Sequence, residues 1–154
     1  MTMLEIGRID RTIEINAPPA RVWRALTDPA ELSAWFKVQI DGAIAPGSEV
    51  QMTSTHEGYE GQRFKVRFVE VTPPKRLVWQ WHPGEVDPKV DYSREARTTV
   101  TFELEPAGTG TKVILSETGF DEISLERRTK VFNDNSQGWA EVLTWLQKHA
   151  EAAR

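Results

Sequence analysis

The sequence predicts an α+β fold: a curved antiparallel sheet of about six strands wrapped on a long C-terminal helix, with two short helices after the first strand. Three features carry this expectation. Apolar and polar residues alternate almost throughout from Pro46 to Thr118, the pattern of hairpin-joined strands. From about Ser124 to Ala152 the spacing is helical instead. Between the first alternating segment and the sheet stand Pro18-Pro19 and Asp28-Pro29, both helix-opening signals.

The first strand is Arg8 to Ile15, with Ile9, Arg11, Ile13 and Ile15 opposite Asp10, Thr12 and Glu14. A short helix follows Pro18-Pro19 and presents Val22, Trp23 and Leu26. Asp28 then caps a second, with Pro29 at its first position and Glu31 at its third, presenting Leu32, Trp35 and Phe36. In the sheet, Val50, Met52, Ser54 and His56 share one strand face, and turn residues around Gly58 and Gly61 end that strand. Phe64, Val66 and Phe68 share a face, but Val69 and Val71 have the opposite parity, so a β-bulge is expected near Phe68 and Val69. After the Pro73-Pro74 corner, Leu77, Trp79 and Trp81 line one face. Residues 83–96, polar and containing Pro83 and Pro88, read as a long, mobile loop. Arg97 to Glu105 and Thr111 to Thr118 complete the sheet, joined by a hairpin at residues 107–110; Val100, Phe102 and Leu104 point inward on one, Val113, Leu115 and Glu117 on the other.

On the long helix, Leu125, Phe132, Trp139, Leu143, Leu146 and Ala150 fall within about 40° of one line at 100° per residue. Arg128, Asn135 and Ser136 share that stripe. Gly138 is costly in a helix by about 1 kcal/mol relative to Ala, which suggests that sheet or short helices approach the backbone there. No internal repeat or linker divides residues 1–154, so a single domain with a core of about 9–151 is expected.

Composition narrows the function. The chain has 154 residues, a net charge of −4, no cysteine, three histidines and six tryptophans. No concentrated positive field marks a nucleic-acid partner, no apolar run spans a membrane, and no thiolate is available as nucleophile or metal ligand. A soluble, cytoplasmic protein, monomeric or weakly dimeric, is the expectation. Nucleophile-elbow, phosphate-loop, HExxH and GxGxxG motifs are absent, so no catalytic residue and no cofactor is assigned. His82-x-x-Glu85-x-Asp87 offers a single imidazole on a loop-like segment, and it is not read as a metal site.

Met52, Phe64, Val66, Trp79, Trp81, Phe102 and Trp139 point, by parity and helical angle, at the space between sheet and helix. Alone they would make an ordinary core. The same faces also carry Ser54, His56, Glu117, Asn135 and Ser136, and unpaired polar groups in a dry core cost about 1–3 kcal/mol each. Their company suggests a partly wet cavity, in which Glu117 could accept a hydrogen bond or a proton from a ligand. These twelve residues are the candidate ligand-binding set.

The stretches IEINAPPARVWRALTDPAELSAWF, VEVTPPKRLVWQW, TKVILSETGF and GWAEVLTWLQKHAE, in that order, resemble the START-like helix-grip superfamily. Within it they are most similar to the branch homologous to the C-terminal domain of the activator of the ninety-kilodalton heat-shock protein ATPase. The resemblance implies a deep cavity between sheet and long helix, used across the superfamily for lipids, polyketides and other apolar molecules. In the chaperone branch it also implies a surface that docks on a heat-shock chaperone. Eukaryotic co-chaperones carry a further N-terminal domain for which this chain has no room. Many relatives have a His where Glu117 stands, so no role of that His transfers. The leading expectation is a non-enzymatic pocket protein for a small, largely apolar molecule, lipid, polyketide or flavonoid-like. The alternatives are a chaperone-activator-like interaction module and a cyclase- or hydrolase-like enzyme.

Overall fold

The computed structural model describes residues 7–85, 87 and 89–152. Strand β1 (Arg8–Ile15) leads into helices α1 (Pro19–Thr27) and α2 (Pro29–Phe36). Strands β2 (Val38–Asp41), β3 (Glu49–Ser54), β4 (Arg63–Thr72), β5 (Arg76–Trp81), β6 (Thr98–Ala107) and β7 (Gly110–Thr118) follow. A 3-10 turn at Phe120–Glu122 precedes the long helix α3 (Leu125–Ala152).

The sheet has seven strands in the order β1-β7-β6-β5-β4-β3-β2, and each neighbouring pair is antiparallel. Every connection from β2 to β7 joins neighbouring strands; β1 alone is far in sequence from its partner β7. The register shift between Phe68 and Glu70 is the bulge expected from the parity change, and it returns Val71 opposite Leu77. The strand missing from the sequence reading is β2, whose four residues VQID contribute one edge pairing to β3. The strand predicted to reach His56 ends at Ser54.

Asp28 caps α2 as expected, accepting from the Ala30 amide at 2.9 Å and the Glu31 amide at 3.4 Å. The α1–α2 corner is further fixed by the Trp35 indole N–H, which donates to the Ala25 carbonyl at 2.7 Å. Glu31 then gathers Arg21, Arg24 and the His149 ring of α3. Burial alone would push its carboxyl up, but His149 and the two guanidinium groups hold it below the usual carboxylate range. Through this cluster the short helices are tied to the C-terminal half of α3.

The core lies between the inner sheet face and the side of α3 bearing Trp139, Leu143, Leu146 and Ala150, all buried. Met52, Val66, Trp79 and Phe102 are completely buried in it. Trp79 is its centre, with ring centroids 5.2 Å from Phe102, 6.1 Å from Phe68 and 6.4 Å from Trp139. Phe132 packs edge-on against Phe120 at 5.3 Å. Leu125 does not join the stripe: it is 79% exposed, because the first turn of α3 projects beyond what the sheet covers. Arg128 instead turns back to the carbonyls of Asp121 and Ile123.

Candidate functional site

Helix and sheet part company toward the open end of the sheet, leaving a cavity of about 890 Å³. Its aromatic wall is formed by Phe36, at the end of α2, with Phe64, Trp81, Trp139 and Trp145. The rings of Phe36, Trp81 and Trp139 lie 5.9–6.5 Å apart and within 28° of parallel, and Phe64 stands edge-on to Trp81 at 5.8 Å. Ser54, His56, Gln62 and Asn135 supply polar groups. A second hollow of about 600 Å³ is bordered by Glu60, Arg63, Lys65, Glu85 and Asp87. Phe64 and Tyr92 are its aromatic rings, whereas the larger cavity gathers Phe36, Phe64, Trp81, Trp139 and Trp145, so that cavity is the candidate site.

Behind the aromatic wall sits Glu117, with no exposed surface. Its carboxylate accepts from Trp81 Nε1 at 2.9 Å, Thr98 Oγ1 at 2.6 Å, Asn135 Nδ2 at 3.0 Å and Trp139 Nε1 at 2.8 Å. No cation pairs with it among the described residues. Two carboxylate oxygens offer about four lone-pair sites, so this set saturates them. Glu117 thus points inward from β7, but its acceptor capacity is spent within the protein. It holds two indoles and the Asn135 amide in fixed orientation and bolts α3 to β5 and β6. The indole N–H groups being occupied, Trp81 and Trp139 have only ring surface left to present to the cavity.

The helix carries two faces. Trp139, Leu143, Leu146 and Ala150 form the packed stripe. Val131, Asn135, Gly138, Val142 and Trp145 line the cavity, spaced four and three residues apart and centred about 90° round the helix from the first stripe. Asn135 lies between the two stripes, which is how it both borders the cavity and reaches Glu117. Ser136 lies on the far side of the core stripe. Its Oγ accepts from Arg11 Nη2 of β1 at 2.6 Å, so the expectation that it lines the cavity is corrected by one helical step. Gly138 is corrected too. A Cβ there would meet nothing within 4 Å, so no element crowds the backbone; the missing side chain leaves space in the cavity wall.

Of the twelve residues singled out from sequence, Ser54, His56, Phe64, Trp81, Asn135 and Trp139 border the cavity. Met52, Val66, Trp79 and Phe102 belong to the core under the covered part of the sheet, Glu117 to the layer behind the wall, and Ser136 to the β1 contact. Phe36, Lys37, Tyr59, Val142 and Trp145 complete the cavity without having been assigned to it. The 4-3-4-3 spacing of Val131, Asn135, Gly138, Val142 and Trp145 was the available signal.

One end of the cavity is closed by the loop between β5 and β6. Arg127 of α3 pairs with Glu95, donates to the Pro83 carbonyl at 2.7 Å, and lies 4.8 Å from the centre of the Tyr92 ring. Gly84 takes φ +69° and a Cβ there would come within 2.8 Å of Val131, so glycine lets the loop lie directly on the helix. His82, at the start of this loop, is buried and borders the cavity. Burial and the neighbouring Arg97 charge lower its pKa, against opposing pulls from Glu85, the Ala96 backbone and Glu49. The native state therefore resists a proton that the unfolded chain takes up below about pH 6.5. This contribution to stability is complete above that pH and is lost as pH falls through the lower folded value. Urea midpoints measured from pH 7 to pH 5 should fall less steeply for His82→Gln than for the parent chain; parallel slopes would remove His82 from the account.

This arrangement, a curved antiparallel sheet closed on a long C-terminal helix with a cavity between them, defines a helix-grip protein. A family model described as activator of Hsp90 ATPase homolog 1-like protein matches residues 16–151, and the chain belongs to that family. Among solved structures, protein MLL2253 from Mesorhizobium loti is similar with a TM-score of 0.75 and 24% identity, covering 96% of this chain and 98% of that one. The Aha1 dimer from Colwellia psychrerythraea, solved in solution, has a TM-score of 0.69 and 24% identity, covering 94% and 96%. DynU16, a protein in the dynemicin biosynthetic locus, has a TM-score of 0.70 and 19% identity, with 94% of this chain covering 47% of that one. A search of curated proteins finds no match. No helix among the described residues is long and apolar enough to cross a membrane.

Proposed function

We propose that the protein binds a small, largely apolar molecule in the cavity between α3 and the sheet, without turning it over. One observation carries this reading: an aromatic-walled space of about 890 Å³, within the roughly 300–1,000 Å³ typical of small-molecule sites. Charged side chains, among them Lys37, Arg127, Lys130, Asp134 and Glu141, share its lining with the rings, so apolar area supplies affinity and polar contacts supply orientation. Trp81, Trp139 and Trp145 all border the space, so intrinsic fluorescence reports occupancy. Titration with a panel of fatty acids, flavonoids and aromatic polyketides should give saturable quenching for at least one class. A flat response across the panel would reject the proposal.

The family's description favours a second reading, docking on a heat-shock chaperone through the outer surface. Stimulation of a heat-shock chaperone's ATPase on mixing would support it, and an unchanged rate would oppose it.

A further inference from the structure

We infer that the ligand has a planar aromatic body carrying one anionic oxygen group, a carboxylate in the simplest case, and that Lys37 receives it. This rests on the cavity reading above and names the ligand class for that site.

Lys37, Arg127 and Lys130 bring cationic groups to the border of the cavity. Arg127 is paired with Glu95 and Lys130 with Asp134. Lys37 forms no ion pair with any described residue. Its ammonium lies 3.9 Å from the centre of the Trp145 ring, a contact that holds a cation in place without neutralising it. Beside it, the His56 ring stacks on Tyr59 at 5.4 Å and tilts against Trp145 at 5.0 Å, bringing a hydrogen-bonding imidazole to the same mouth.

Lys37 also occupies an unusual backbone position. It is the C-cap of α2, left-handed at φ 58°, ψ 54°, where glycine or asparagine is the usual choice. It is the single described non-glycine residue with positive φ. That position follows directly on Phe36 of the aromatic wall, so the end of α2 delivers a ring and a charge to adjacent parts of one site.

The carboxylates around the cavity leave this cation free. Asp134 is committed to Lys130, and Glu85 accepts from the Lys65 amide at 3.0 Å. Glu126 and Glu141 are exposed on α3 and pair with nothing among the described residues. Glu141 is the nearer to Trp145 in sequence and is the group an incoming anion must outcompete. At a mouth of reduced dielectric, an unpaired ammonium attracts an anion more strongly than it would in bulk water.

The test compares 1-pyrenebutyrate with 1-pyrenebutanol, which share the ring system and differ in charge. The parent chain should bind the acid about tenfold more tightly, equivalent to about 1.4 kcal/mol, with the preference shrinking as salt is raised. Lys37→Asn keeps a residue that tolerates the left-handed conformation; it should erase the preference, bringing the acid and the alcohol to equal affinity. Equal binding of both probes by the parent chain, or a preference that survives in Lys37→Asn, would overturn this inference while the cavity reading stood. Binding of neither probe would also overturn this inference, and the cavity reading would fall with it only if the panel of fatty acids, flavonoids and aromatic polyketides were flat as well.

Discussion

Glu117→Ala should lower the free energy of unfolding by about 3–5 kcal/mol, enough to leave a chain of this size marginal. Its carboxylate is completely buried and accepts from two indoles, one hydroxyl and one amide. Removing it strands those donors behind the aromatic wall without an acceptor. Glu117→Gln is the sharper variant because it preserves volume. Its carbonyl oxygen can still accept from part of the set, but its NH2 must face donors. The Thr98 hydroxyl can rotate to accept, whereas an indole N–H cannot. A loss of about 2–3 kcal/mol is expected for Gln, with the near-ultraviolet circular dichroism of the indoles changed. Chemical denaturation of both variants checks this, and a Gln variant as stable as the parent would show that the acceptor set is not what holds α3 on the sheet.

Gly138→Leu should weaken ligand binding at least tenfold, about 1.4 kcal/mol, while raising stability by about 0.5–1 kcal/mol. The two effects have separate causes. Replacing glycine within α3 restricts the unfolded chain and favours the helix. The new side chain enters open space, because a Cβ at 138 meets nothing within 4 Å and the position borders the cavity. Gly138→Ala is the control: it should gain similar stability with affinity nearly unchanged. Denaturation and fluorescence titration on the three chains resolve the pattern. If Leu left affinity unaltered, the ligand would have to bind elsewhere.

The sheet was legible because burial imposes a period of two on every strand, and even the bulge at Phe68 and Glu70 is written in the parity change of Val69 and Val71. β2 was not legible because four residues, VQID, carry too short a pattern to separate from the end of α2. The cavity was half legible. Glu117 and Asn135 announce a polar group inside by their presence on apolar faces, yet the sequence cannot say that each satisfies the other. Parity also cannot separate Met52 and Trp79, under the covered part of the sheet, from Phe64 and Trp81, which border the open part. That distinction depends on where α3 leaves the sheet. The helix reads as having one stripe because Asn135 and Gly138 interrupt the apolar residues Val131, Val142 and Trp145 on the cavity-facing side. A face that lines space has less need to be hydrophobic than a face that fills it, so a cavity weakens the very pattern that would locate it.

The most direct test of the central claim is a crystal structure of the protein with the tightest-binding member of the panel. The account predicts the ligand between Phe36, Phe64, Trp81 and Trp145, its ring system against the aromatic wall, with the hydrogen bonds of Glu117 to Trp81 and Trp139 intact. A ligand seated on the outer sheet face, or side chains of Trp145 and His56 collapsed into a closed core with no ligand bound, would contradict it.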